Sequence, residues 1–193
     1  MTHYIEILFN PDDECPLWFL RNALCTKLHK AIFDLSATDI GISFPQVNTR
    51  LGCVIRIHST QSRLQQLQNL NWLGGLSGYC KVSEILPVPD KVNGYQTISR
   101  IRQTMSDAKL KKRIEYQKTQ GILQTSDNVE AYIKQYKNKM FATSLNNPYL
   151  ELQSVSTNSL YRLYLQFGKL QNETTGGEFN RFGLSSVATV PIF

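Results

Sequence analysis

The sequence has no apolar run approaching the roughly 18 to 20 residues that a bilayer span requires, so a transmembrane helix is excluded on length. Its opening residues, Met1-Thr2-His3-Tyr4-Ile5-Glu6, lack a basic stretch followed by an apolar one, and no signal peptide is expected. Cysteine is scarce: Cys15, Cys25, Cys53 and Cys80 are widely spaced and form no CxxC pair. That spacing argues against a zinc site or a disulfide framework and suits four reduced thiols in a cytoplasmic protein. A Walker loop, a GxSxG elbow and clustered His/Asp/Glu ligands are all missing. The expectation is therefore a chain without bound metal or cofactor.

What is present is a globular balance, with 41% hydrophobic and 19% charged residues in 193. The net charge is +6, and its position says more than its size. Residues 97 to 140 hold ten basic residues (Arg100, Arg102, Lys109, Lys111, Lys112, Arg113, Lys118, Lys134, Lys137, Lys139) against four acidic ones. The remaining chain is neutral, so one segment carries the whole excess. Such a concentration points to a polyanion, with nucleic acid ahead of a membrane surface.

The first ninety residues read as strand, helix, strand, strand, helix, strand. Tyr4, Glu6 and Leu8 alternate with Ile5, Ile7 and Phe9, a period of two that ends at Asn10-Pro11. Leu17, Leu20, Leu24, Leu28 and Ala31 recur at helical spacing after Pro16. Strands are expected at Ile40–Phe44 and Leu51–Ile57, then a helix capped by Ser59 or Thr60, then a fourth strand over Tyr79–Leu86. This order predicts an α+β chain whose residues 1–90 form a ferredoxin-like domain of the RNA-recognition-motif type. After the break at Pro87-Val88-Pro89-Asp90, residues 91–193 are expected to form a second α+β domain with a basic helix and C-terminal strands.

That helix should begin at Ser106 and stop near Gly121. Lys109, Lys112, Arg113 and Tyr116 fall on one face, with Lys111 beside them, while Leu110 and Ile114 face elsewhere. Arg100 and Arg102 precede it in an extended stretch and could pair with guanine edges or phosphates. In Tyr161–Phe167 alternate residues share a face, Tyr161, Leu163, Leu165 and Phe167 on one and Arg162, Tyr164 and Gln166 on the other. His29 lies late in the first helix. Spacing alone suits a boundary residue or a charge at the helix C-terminus better than a catalyst. The run Ser154-Val155-Ser156-Thr157 reads equally as a hairpin turn or as hydroxyls for ribose and phosphate.

Taken in order, several short segments make the chain resemble one family. They are Lys27-Leu28-His29, Ile40-Gly41-Ile42-Ser43-Phe44-Pro45, Arg56-Ile57-His58, Ser99-Arg100, Lys109-Leu110-Lys111-Lys112-Arg113, Ser154-Val155-Ser156-Thr157, Tyr161-Arg162-Leu163-Tyr164, Phe182-Gly183-Leu184-Ser185 and Val190-Pro191-Ile192-Phe193. Together they are similar to the CRISPR-associated repeat-processing endoribonuclease of the subtype I-F system, a branch of the Cas-six family. The resemblance implies metal-independent cleavage of a CRISPR repeat RNA beside its hairpin, with His29 catalytic and Ser154 holding the attacking ribose. It implies that Ser156 and Thr157 line the phosphate pocket, that Tyr161 stacks on the base pair closing the stem, and that Arg100 reads a guanine. It further implies that the Lys109 helix docks on the stem, that the enzyme keeps its product, and that it joins a multi-subunit surveillance complex. Arg102 stands where relatives carry glutamine, and Phe182 where a tyrosine often lies beside the histidine. An RNA-binding subunit without catalysis is the alternative reading.

Overall fold

The computed structural model describes residues 1–102, 105–140, 147–153 and 159–193. Chain packing divides it into two compact units, Met1–Arg100 with Pro148–Phe193, and Ile101–Asn147.

The first unit opens with β1 (His3–Phe9), α1 (Leu17–Asp34), β2 (Gly41–Ser43), β3 (Val54–Ser59), α2 (Gln61–Asn69) and β4 (Cys80–Val82). Their sheet order is β2-β3-β1-β4, and every pairing is antiparallel. This is the ferredoxin-like arrangement that the element order predicted. The alternation in β1 places Ile5, Ile7 and Phe9 inward, where they meet Leu20, Leu24, Leu28 and Ala31 of α1. Leu17, expected in the same stripe, is only half-buried. Thr60 caps α2 by accepting the Arg63 amide at 3.3 Å. The expected strand over Tyr79–Leu86 is shorter. Gly74–Tyr79 forms a 3₁₀ turn, and only Cys80–Val82 and β5 (Leu86–Pro87) pair with β1.

Two further sheets follow. The first pairs β6 (Gly94–Gln96) with β10 (Val190–Ile192). The second has the order β7-β9-β8, from β7 (Ile98–Ile101), β8 (Tyr149–Gln153) and β9 (Leu160–Phe167). Leu150, Leu152, Leu163 and Leu165 alternate along β8 and β9 and join the same buried cluster as β1 and α1. This shared core is why residues 148–193 belong with the first unit and why the compact units do not divide at residue 90. The outer face of β9 is not wholly polar, because Tyr164 is buried beside Tyr149 with ring centroids 5.4 Å apart.

The second unit holds α3 (Asp107–Thr119) and α4 (Ser126–Met140). Ser106 caps α3 through the Lys109 amide at 3.3 Å. Leu110, Tyr136 and Met140 are buried together, with Ile114 and Ile133 packed against them.

His58 is fully buried on β3. Its Nε2 lies 2.8 Å from the Ser43 hydroxyl, while Nδ1 lacks a protein partner. Desolvation, with the nearby Arg56 charge second and the N-terminal charge third, pushes its pKa down to about 3. The unfolded chain thus binds this proton near pH 6.5 while the folded one refuses it. The stability from keeping His58 neutral is complete above pH 6.5 and drains away as pH falls towards 3. Urea titrations should show up to about 1.4 kcal/mol lost per pH unit in that window. His58→Gln should have a shallower slope, and an identical slope in both proteins would remove His58 as its source.

Candidate active site and nucleic-acid interface

The first-unit site is built where α1 meets the loop before β10. Pro16 begins the helix with no side-chain cap, and Ser36, at φ 49°, ends it in the left-handed region. His29 is therefore five residues from the end at Asp34 and outside the last turn. The helix-terminus reading does not apply. Asn22, two turns earlier, accepts the Glu151 amide of β8 at 3.1 Å, which ties α1 to that strand.

The half-buried His29 ring lies against Phe182, with centroids 4.0 Å apart and planes 7° from parallel. Its Nδ1 is 3.0 Å from the Arg181 carbonyl oxygen. A carbonyl only accepts, so Nδ1 carries the proton and donates it. Among the described residues this leaves Nε2 uncommitted. A neutral ring can accept a proton there, and a charged ring can give one up from the same atom. Phe182 meets the ring by packing alone, and a main-chain carbonyl supplies its orientation.

The loop is held in place by its own turn. Asn180 Oδ1 accepts the amides of Phe182 at 2.8 Å and Leu184 at 3.3 Å. Gly183, at φ +69°, then turns the chain so that its carbonyl accepts the Ile42 amide at 3.0 Å. The arginine side chain before Phe182 covers Phe33, with its guanidinium carbon 4.4 Å from the ring centre.

Elsewhere in the first unit, the Arg100 guanidinium carbon is 5.7 Å from the Tyr161 ring centre, so β7 and β9 bring these two together. Arg102, in the second unit, follows the end of β7 and is exposed. In the second unit Lys109, Lys111, Lys112, Arg113 and Tyr116 are all exposed on α3, while Leu110 anchors it. Arg113 also lies 5.7 Å over the Tyr136 ring. Ser154, Ser156 and Thr157 fall outside the described residues. Among the described residues no three of His, Cys, Asp and Glu gather as a metal site, and no helix is long and apolar enough to cross a membrane. The four cysteines are free, and burial pushes the Cys25 thiol up to about 12.

A family model described as CRISPR-associated protein (Cas_Csy4) matches residues 4–193. The chain belongs to this family. It is 35% identical to the CRISPR-associated endonuclease Cas6/Csy4 of Escherichia coli (strain UTI89 / UPEC), each chain covered in full. It is 31% identical to the CRISPR-associated endonuclease Cas6/Csy4 of Pseudomonas aeruginosa (strain UCBPP-PA14), again over both full lengths. A solved structure of the CRISPR endoribonuclease Cse3 bound to 19 nt RNA is similar at a TM-score of 0.38, with 12% identity over 99% of this chain and all of that one.

One feature of this Csy4-family chain does not follow from its sequence. The Arg181 carbonyl is 152 positions from the ring it orients, and no local pattern links them. The Asn180-Arg181-Phe182-Gly183 run does signal a turn, since Asn bonds its own backbone and Gly supplies positive φ. That signal locates the turn but says nothing of what the turn docks on.

Proposed function

We propose that this chain is a sequence- and structure-specific endoribonuclease that processes CRISPR precursor RNA without a metal ion, cutting next to the repeat hairpin. The observation that carries the proposal is the His29 ring held between Phe182 and the Arg181 carbonyl in a chain that this family's model matches over residues 4–193. RNA brings its own nucleophile, so the protein needs to move protons and align atoms. The 2′-hydroxyl before the scissile phosphate attacks phosphorus, the bond to the 5′-oxygen breaks, and the 2′-proton leaves as the 5′-oxygen gains one. The products are a 2′,3′-cyclic phosphate and a 5′-hydroxyl. His29 Nε2 acts as base to the 2′-hydroxyl or as acid to the 5′-oxygen, and Ser154 aligns the ribose.

Recognition is divided among the remaining residues. Tyr161 stacks on the base pair closing the stem, Arg100 and Arg102 read bases, and Ser156 and Thr157 hold the phosphate. Lys109, Lys111, Lys112, Arg113 and Tyr116 follow the stem backbone, and lysine does so as a point charge without a bidentate fork. The enzyme works in the cytoplasm, stays on the hairpin it has cut, and takes its place with other subunits of a surveillance complex.

The test incubates the protein with its repeat RNA in EDTA. Cleavage at the wild-type rate, giving a cyclic phosphate end, is expected, and loss of cleavage on chelation would overturn the metal-free mechanism. For the basic helix, Lys112→Ala should weaken hairpin binding and reduce the slope of log affinity against log salt by about 0.7 to 0.9. An unchanged slope with unchanged affinity would take α3 off the RNA.

A further inference from the structure

Phe33 sits one helical turn beyond His29 on α1, and 51% of it is exposed. A core phenylalanine would not stand there, and the Arg181 side chain lies over its ring. The guanidinium carbon is 4.4 Å from the Phe33 ring centre. Arg181 is itself exposed, and among the described residues it has no carboxylate partner. A guanidinium stacked on a ring keeps its N–H edges outward, where they can meet a phosphate, and it presents a flat face to a second planar group. Lys30, next to His29 in sequence, is exposed and adds charge to this helix. The residue whose carbonyl orients the imidazole thus also carries a free cation over an exposed aromatic.

We propose that Phe33 and Arg181, with Lys30, form a subsite for the unpaired nucleotide that follows the scissile phosphate. The inference rests on the reading that His29 faces that phosphate. The nucleotide before the cut belongs to the hairpin side, where Tyr161 and the basic residues already account for binding. A flat aromatic–cation pair suits a base whose face is open; the open face of the stem's closing pair is assigned to Tyr161, which leaves the unpaired base that follows the cut. Arg181 holds the adjoining phosphate through its outward N–H groups while the base stacks on the pair. The leaving 5′-oxygen is thereby kept beside Nε2.

Two RNAs test this, identical in hairpin and scissile linkage but carrying either a normal nucleotide or an abasic ribose immediately after the cut. The wild type should cut the abasic RNA about tenfold less efficiently, the loss expected for one stacked base. Phe33→Ala and Arg181→Ala should bring the ratio of kcat/KM between the two RNAs close to one. Arg181→Lys, an exposed change that keeps the charge but not the flat face, should leave an intermediate ratio. A wild type indifferent to the missing base overturns the subsite, as do variants that slow both RNAs by the same factor, since Arg181 would then only brace the loop. A wild type that cuts neither RNA removes the endoribonuclease reading itself, and the subsite with it.

Discussion

His29→Ala should bind the repeat hairpin within a few-fold of wild type and cut it slower by about 10² to 10⁴, the range for losing one general acid–base group. The two readouts separate because they lie on different parts of the chain. Binding is assigned to α3, Arg100 and Tyr161, whereas His29 has its ring against Phe182 and its Nδ1 on a main-chain oxygen. Truncating a half-buried side chain at the surface of α1 removes little of the core that Leu24 and Leu28 supply. Added imidazole should restore part of the activity, because the ring can re-enter beside Phe182 and bring back a proton carrier. Such rescue is not available to a residue that only supports the fold. Cleavage by His29→Ala at the wild-type rate would remove the imidazole from the reaction and place the proton transfers on another group.

Local patterns in the sequence were reliable wherever a single element decided the outcome. The period of two in β1, the leucine stripe of α1 from Leu20 onward and the caps Thr60 and Ser106 each appear as expected, because each needs only neighbours within a few residues. The fourth strand is shorter than expected because the 3₁₀ turn takes Tyr79 and residues 83–85 leave the ladder, where the Ser83 hydroxyl accepts the Glu6 amide and donates to the Glu84 carbonyl. The placement of residues 148–193 was not legible at all. Alternating leucines in β8 and β9 announce a buried face but not which core receives it, and that core lies more than a hundred residues upstream.

The site divides in the same way. The exposed basic face of α3 with its buried Leu110 follows from helical spacing, and the structure repeats it. The role proposed for His29 does not follow from spacing, because the groups that hold its ring, Phe182 and the Arg181 carbonyl, arrive from the far end of the chain. That proposal comes from resemblance over the whole length, which periodicity could not replace. The fold adds that the ring needs no side-chain hydroxyl from Phe182, since a main-chain carbonyl accepts its Nδ1 proton.

The second large effect is expected at Gly183, where stability and catalysis meet. Its φ of +69° lies in the left-handed region, and a Cβ there would come 2.8 Å from Ile42 Cγ2 and 3.3 Å from the Ile42 amide nitrogen. Ile42 is buried, so it has little room to give. Gly183→Val adds a branched side chain to both problems and should cost about 2 to 4 kcal/mol of stability, from overpacking and the unfavourable backbone region together. Gly183→Ala should cost less, and Gly176→Ala, with nothing within 4 Å of its added Cβ, should lie within about 0.5 kcal/mol of wild type. Chemistry should suffer beyond folding. Gly183 follows Phe182 directly, and its carbonyl pins the loop to the Ile42 amide, so any shift here moves both the stacking ring and the carbonyl that orient His29. Cleavage measured at a temperature where Gly183→Val remains folded should still fall at least tenfold, because about 1 Å of displacement at a reacting group costs as much or more. A variant as stable and as active as wild type would mean that the loop tolerates displacement. The imidazole would then owe its position to α1 alone.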